Sequence, residues 1–233
     1  MTETRETQVD SPEARTVVFI DYQNMYRSAR DAFGWRSEPG AIGNLRPYSL
    51  GRHMVREPGR ALKQVRCYTG IHTARGHPKL YAMMQRRISA WLAQDPARVH
   101  VFPRSLRYGR QGPQEKGVDV ELAIDFVSLA LDDAFDVGVL ASGDTDLVPA
   151  LQFVADRFPE KTLVTMGFAP IPGCEGSTPQ PLDLPRGDVE RRFITKEQFE
   201  RVADRRNFFE SSSDQSSQID SSRWTRIQDR YRR

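Results

Sequence analysis

Short apolar runs alternate along this chain with stretches in which apolar residues recur at helical spacing. The runs predict five strands, at residues 17–20, 65–68, 98–108, 137–141 and 161–168. The stretches between them predict helices, and the apolar face of one helix consists of Leu80, Met83, Met84, Ile88 and Trp91. This alternation, with its short connections, predicts an α/β fold: a doubly wound, mainly parallel five-stranded sheet of Rossmann-like form with helices on both faces.

The two ends of the chain differ in composition from its middle. Residues 1–14 are polar and predicted to be disordered, whereas residues 15–170 have the composition of one globular domain. Residues 171–208 predict a C-terminal extension with a short strand and a helix that turns Phe199 and Val202 inward. Residues 209–233 combine a serine-rich linker with a basic tail, and both are predicted to be disordered.

Acidic residues follow two of the predicted strands. Asp21 ends the first strand, and Asp144 and Asp146 follow the fourth. In a doubly wound sheet these two strands are neighbours, and ligands bind beyond their carboxyl ends. Asn24 is expected to face the same crevice, and Asp119 is expected in the first turn of a helix that enters from the same edge. The four aspartates are therefore predicted to lie together.

Each of these acids also has a structural interpretation, because aspartate often caps a helix or stabilises its first turn. The predicted cluster favours a further role, since several neighbouring carboxylates stay ionised together only when a cation is present. Hard oxygen ligands of this kind select Mg²⁺ or Mn²⁺. A site with several carboxylates and no histidine points to phosphoryl transfer or hydrolysis.

Several other chemistries lack the residues that they need. The four histidines show no ligand spacing, and Cys67 and Cys174 form no CxxC pair, which excludes a zinc module and a disulfide scaffold. No Ser-His-Asp or Cys-His arrangement is visible. Neither GxGxxG nor GxxxxGK(S/T) occurs, so dinucleotide binding and P-loop nucleotide binding lose support.

The charge balance is mildly basic and is carried by arginine. The net charge is +3, the isoelectric point is about 9.0, and 29 of the 34 basic residues are arginine. Arginine suits phosphate contacts, but genomic base composition produces the same bias, so charge permits nucleic-acid binding without establishing it. The sequence has no apolar run of membrane-spanning length and no signal core, which predicts a cytoplasmic protein without a membrane partner. The oligomeric state stays open, a homo-oligomer included.

Three blocks of the sequence resemble a known family. VVFIDYQNMY (17–26), KGVDVELAIDFVSLA (116–130) and VGVLASGDTDLVPAL (137–151) resemble the blocks of the NYN domain, more narrowly its LabA/DUF88 branch within the PIN-like nuclease superfamily. The resemblance covers roughly residues 15–170 and implies a PIN-like fold with a Mg²⁺-dependent ribonuclease site. By this resemblance Asp21, Asp119, Asp144 and Asp146 match the acidic cluster, Asn24 matches its polar partner, and Lys116 and Ser142 match positions near the cleft.

The resulting hypothesis is that metal ions held by the four aspartates activate water for attack on an RNA phosphodiester. Lys116 and the arginines of residues 98–110, among them Arg104 and Arg107, would hold the RNA backbone. One alternative is a non-catalytic RNA-binding or regulatory module with the same fold. A second is a haloacid-dehalogenase-like phosphatase, suggested by the sequence GDTD, but Gln23 stands where those enzymes carry the second aspartate of a DxD pair.

Overall fold

The computed structural model describes residues 13–110 and 112–209 of the chain. Its strands are β1 (Ala14–Asp21), β2 (Arg60–Ile71), β3 (Val99–Ser105), β4 (Arg107–Gly109), β5 (Gly112–Gln114), β6 (Val137–Ala141), β7 (Thr162–Phe168) and β8 (Glu190–Ile194). Its helices are α1 (Tyr22–Ala32), α2 (Pro47–Met54), α3 (Pro78–Leu92), α4 (Val118–Leu131), α5 (Val148–Arg157) and α6 (Lys196–Val202). Turns of 3-10 helix lie at Thr145–Leu147 and Glu175–Ser177.

Six of the strands form one parallel sheet in the order β3–β2–β1–β6–β7–β8. The strand β1 pairs with β2 on one side and with β6 on the other, so the order reverses at β1 and β6. This arrangement confirms the predicted doubly wound parallel sheet and the predicted contact between its first and fourth main strands. The predicted count of five strands is too low, because β8, from the predicted extension, pairs with β7. Most side chains of β8 are not buried, so the strand lacks the apolar run that marked the others.

The basic stretch after β3 forms a separate antiparallel hairpin, in which β4 pairs with β5. The predicted third strand, residues 98–108, is therefore too long: β3 ends at Ser105, and Arg107 already belongs to the hairpin. The hairpin leads the chain from the carboxyl end of β3 to the start of α4. It thereby delivers residues 115–117 to the edge of the sheet where the acidic residues lie.

Alternate residues of β1 face opposite layers of the protein. Val18 and Ile20 pack into a core with α1, α2, α3 and α6, whereas Val17 and Phe19 pack into a core with α4 and α5. All four side chains are fully buried, so a strand covered on both faces has a continuous apolar run rather than an alternating one. Burial of each side chain of this kind contributes about 1.5–3 kcal/mol. The two cores hold the end of β1, and with it Asp21, in a fixed position.

The ends of the chain bear on two further predictions. The N-terminus (1–14) and the linker with its tail (209–233) lie almost wholly outside the described residues, so their predicted disorder stays a prediction. In the extension, Phe199 and Val202 of α6 are buried as predicted. Across residues 13–110 and 112–209, no helix is long and apolar enough to span a membrane.

Candidate active site

The side chain of Asp21 lies at the junction of β1 and α1 and is 7% exposed. Its Oδ1 accepts a hydrogen bond from the backbone N–H of Asn24 at 3.1 Å, which caps α1. Its Oδ2 accepts a hydrogen bond from the hydroxyl of Ser142, just beyond β6, at 3.3 Å. Asp21 is thus a helix cap and, at the same time, part of a contact between the two central strands.

One further hydrogen bond joins the ends of these strands, and another orders the turn after β6. The backbone N–H of Gly143 donates to Oδ1 of Asn24 at 2.8 Å, and the backbone N–H of Asp144 donates to the hydroxyl oxygen of Ser142 at 3.1 Å. A Cβ atom on Gly143 would lie 2.8 Å from Cβ of Pro179, so the chain passes too closely here for a larger residue. The predicted proximity of Asp21, Asn24, Ser142 and Asp144 is therefore present in the structure.

Asp146 occupies a more peripheral position than Asp144. Oδ1 of Asp144 accepts a hydrogen bond from the backbone N–H of Asp146 at 3.1 Å and caps the 3-10 turn. Asp144 is half-buried, whereas Asp146 is exposed. The capping interpretation thus applies to Asp144, and the side chain of Asp146 faces solvent at the rim of the site.

Asp119 lies in the first turn of α4, as predicted, and is half-buried. Its neighbours Val118 and Leu122 share a buried cluster with Leu147 of the 3-10 turn. This packing brings the start of α4 to the turn that carries Asp144. Within the described residues, however, no hydrogen bond links Asp119 to another acid of the site.

The structure adds an acid, Glu115, which the sequence pattern did not single out. Glu115 follows the hairpin, and its Oε1 accepts a hydrogen bond from the backbone N–H of Gly70 in β2 at 2.8 Å. A Cβ atom on Gly70 would lie 2.3 Å from that oxygen, so only glycine leaves room for the carboxylate. The available signal was its place immediately before Lys116, at the entry to α4.

The pKa of Asp21 is raised to about 6, mainly by burial and in addition by the negative charges of Glu115 and Asp144. The hydrogen bonds from Asn24 and Ser142 act in the opposite direction, because they stabilise the ionised carboxylate. Asp21, Glu115 and Asp144 therefore form an acidic group whose members interact electrostatically. A divalent cation would relieve this repulsion, and all the donors are hard oxygen atoms.

The acidic group is not arranged as a finished metal site. Among the residues that the structure describes, no three His, Cys, Asp or Glu side chains stand close enough together to hold a metal ion. The residues fit a hard divalent cation by their chemistry and their mutual charge, while the full set of four aspartate ligands stays a prediction.

Comparison with known proteins identifies the family. The NYN domain model matches residues 15–174, which include both central strands and every acid discussed above. The chain belongs to the NYN domain family. This membership supports, in general terms, a nuclease-type activity and the PIN-like superfamily.

A solved structure supports the same fold. It is described as a protein of unknown function, VPA0982, from Vibrio parahaemolyticus RIMD 2210633, and it is similar to this chain with a TM-score of 0.50 and 16% identity. The match covers 80% of this chain and 96% of that chain. At this identity the similarity shows the fold alone. A comparison with curated proteins gave no match.

The basic residues expected to hold substrate occupy different parts of this NYN domain. Lys116 is exposed and lines a cavity beside the acidic group, together with Glu115. Arg104 is exposed but pairs with Glu121 at 3.2 Å, and Arg107 is exposed on the hairpin. Lys116 is thus beside the acids, and Arg104 lies against Gly117, the residue that precedes α4.

Another acid of α4, Asp125, has a structural role in the NYN domain. Its Oδ2 accepts hydrogen bonds from the hydroxyl of Tyr68, at 2.6 Å, and from the guanidinium of Arg66. Arg66 is 9% exposed and lies over the ring of Phe102. This buried network ties α4 to β2 and keeps Asp125 apart from the acidic group around Asp21.

Proposed function

We propose that this protein is a metal-dependent ribonuclease of the LabA/DUF88 branch of NYN domains. In this proposal Asp21, Asp119, Asp144 and Asp146 hold Mg²⁺ or Mn²⁺ and carry the hydrolysis of RNA phosphodiester bonds. Glu115 joins them as a further carboxylate. The main support is the meeting of Asp21, Glu115 and Asp144 at the switch point of the sheet, in a chain that belongs to a nuclease-type family.

The protein's own groups have separable roles in this proposal. Asp21 offers a buried carboxylate that Ser142 and the Asn24 backbone hold in one orientation. Asp144 offers a second carboxylate from the neighbouring strand, and Lys116 supplies a positive charge for a phosphate of the RNA backbone. A bound divalent cation supplies a water of lowered pKa and stabilises the negative charge that develops on the phosphate.

The test is cleavage of single-stranded and structured RNA with Mg²⁺, with Mn²⁺ and with EDTA. Asp21→Asn and Asp144→Asn should each lower the rate by at least about a hundredfold, as expected for loss of a group that holds the catalytic ion. Asp156→Asn is the matched control, because Asp156 is an exposed acid of α5 that pairs with Arg186. Equal cleavage by the wild type and all three variants, or cleavage in EDTA, would overturn the proposal.

The remaining outcomes identify the two alternatives left open by the sequence. RNA binding without cleavage by the purified wild type would favour the non-catalytic RNA-binding module. Hydrolysis of a chromogenic phosphomonoester without RNA cleavage would favour the phosphatase. Assays on the full chain include the basic tail, whose contribution is then measured by comparing the full chain with residues 1–209.

A further inference from the structure

A cavity of about 870 Å³ lies directly beside the acidic group. It is formed by α1, α3, the end of β2, the segment after the hairpin, and residues 206–209. Tyr22 and Gln23, the two residues after Asp21, line it, and so does Glu115. Its volume is within the range of small-ligand sites, roughly 300–1,000 Å³. The cavity therefore begins where the acidic group ends.

The charged residues that line the cavity are mostly cationic. They are the four basic residues Arg27, Arg87, Lys116 and Arg206 and the single acid Glu115. One of these cations is already paired, because Arg206 lies 2.7 Å from Asp204. The remaining charges leave an excess of positive charge, which suits an anionic ligand.

Arg87 is the cation best placed for such a ligand. Within the described chain no carboxylate pairs with its guanidinium, whose Nη1 donates to Sδ of Met84 at 3.9 Å. The guanidinium lies 5.5 Å from the centre of the Phe208 ring, which also lines the cavity. The planar guanidinium fork matches a phosphate group.

An exposed aromatic ring accompanies these cations. Phe209 lines the cavity and is 60% exposed. Its backbone is held in place, because its carbonyl accepts from Arg86 at 3.3 Å and its N–H donates to Asn207 at 3.0 Å. Nucleobases stack on rings of this kind beside cationic grooves. A phosphate-binding group and a stacking ring thus share one cavity.

We propose that this cavity binds one nucleotide of the RNA strand, with its phosphate on Arg87 and Lys116 and its base on Phe209. The inference rests on the proposed nuclease function and adds a nucleotide subsite next to the cleaved phosphodiester. An RNA strand that reaches Asp21 would place its adjacent nucleotide in the cavity, since Glu115 belongs to both regions and Tyr22, which lines the cavity, directly follows Asp21.

The test is to titrate the full chain, without metal, with adenosine 5′-monophosphate. NMR chemical-shift changes show where the nucleotide binds, and calorimetry measures its affinity. Shift changes should map to the cavity. Arg87→Gln should weaken binding by about tenfold, as for a charged hydrogen bond, and Phe209→Ala should do so to a similar extent. Arg87→Lys keeps the positive charge but not the planar guanidinium, so its affinity should lie between those of the wild type and Arg87→Gln. Arg157→Gln and Phe153→Ala are the matched controls, since both residues are exposed on α5, on the other side of the sheet.

Three results would overturn the subsite: shift changes only outside the cavity, no binding at millimolar nucleotide, or unchanged affinity in Arg87→Gln with an unchanged melting temperature. Separate titrations with inorganic phosphate and with adenosine measure the contribution of Arg87 to phosphate binding and that of Phe209 to base binding. Nucleotide binding without RNA cleavage would contradict the proposed nuclease activity and support the nucleotide subsite. RNA cleavage without nucleotide binding would support the nuclease activity and contradict the subsite.

Discussion

Glu115 and Gly70 are 45 residues apart in the chain, yet the backbone N–H of Gly70 donates a hydrogen bond to the Glu115 carboxylate over 2.8 Å. The missing side chain of Gly70 provides the space that this carboxylate occupies. Glu115 is thereby held next to Asp21, where its charge raises the pKa of the aspartate. A loop residue becomes part of the acidic group because a strand residue has no side chain.

Glu115→Gln should lower the pKa of Asp21 and weaken Mn²⁺ binding by about tenfold or more, within the range seen for groups that support metal ligands. The reason is that the variant removes a negative charge beside Asp21, while its amide oxygen still accepts the Gly70 N–H. Carboxyl NMR titration and Mn²⁺ titration measure the two effects. Glu160→Gln, at an exposed acid after α5, should change neither, and an unaltered Asp21 pKa in Glu115→Gln would contradict the expectation.

Gly70→Ala should both destabilise the protein and reduce RNA cleavage. Its Cβ would lie 2.3 Å from Oε1 of Glu115 and 2.6 Å from Leu106, so the Glu115 side chain must move. Overpacking of this kind costs about 1–3 kcal/mol, which urea denaturation detects. Gly176→Ala is the control, because nothing lies within 4 Å of the added Cβ. Equal stability and activity of the two variants would show that the close contact is unimportant.

The pH dependence of stability should reveal the buried charge of Asp21. Its folded pKa, about 6, is above its ordinary value of 3.8, so the folded state is destabilised above pH 6 and this cost disappears below pH 4. In EDTA at pH 8, Asp21→Asn should therefore raise the free energy of unfolding by about 2–3 kcal/mol. Urea denaturation of the wild type and the variant at pH 4, 6 and 8 measures this difference in the free energy of unfolding. The gain should vanish at pH 4, and a gain of equal size at all three values would rule out titration of Asp21 as the cause.

Addition of Mn²⁺ should stabilise the wild type but not Asp21→Asn. An ion that binds the folded state at a hundred times its Kd stabilises it by about 2.7 kcal/mol. The wild type should therefore melt at a higher temperature with Mn²⁺, whereas Asp21→Asn should respond little. Differential scanning calorimetry makes the comparison. The same Mn²⁺ shift in both proteins would place the binding ion somewhere other than at Asp21.

Substitutions of two acids on α4 should affect different properties of the protein, one its stability and the other its activity. Asp125→Ala leaves buried Arg66 without its partner and should cost about 3–5 kcal/mol, while cleavage per folded molecule persists. Asp119→Ala should change the free energy of unfolding by less than about 1 kcal/mol but should abolish cleavage. Denaturation curves and RNA assays below the melting temperature test both. Loss of activity in Asp125→Ala with full stability would reverse the assignment of the two acids.

The central part of the structure could be predicted well from the sequence because its strands and helices are marked by local patterns of apolar residues. The apolar run before Asp21 and the run before Asp144 each mark a strand buried on both faces, and the order of elements then places these strands side by side. The same reasoning located Asn24 and the start of α4. These residues owe their positions to the ends of regular elements, whose periodicity is visible in the chain.

Other features depend on contacts that no periodicity records. Glu115 lies in an irregular segment and is positioned by Gly70, far away in the sequence. The strand β8 is only partly buried, so its sequence carries no clear apolar pattern. Its pairing with β7 becomes visible only in the folded structure. Arg104, which is expected to contact substrate, also pairs with Glu121 of α4. In each case a long-range partner determines the position of the residue.

The hydrogen bond between Asp21 and Ser142 spans 121 positions of the chain. During translation, β1 and α1 leave the ribosome long before the residues of β6 have been joined. Until then Asp21 has neither the Ser142 hydroxyl nor the Asp144 carboxylate beside it, and every shorter nascent chain lacks the complete acidic group. The protein therefore acquires this site only after β6 and the turn that follows it have been synthesised.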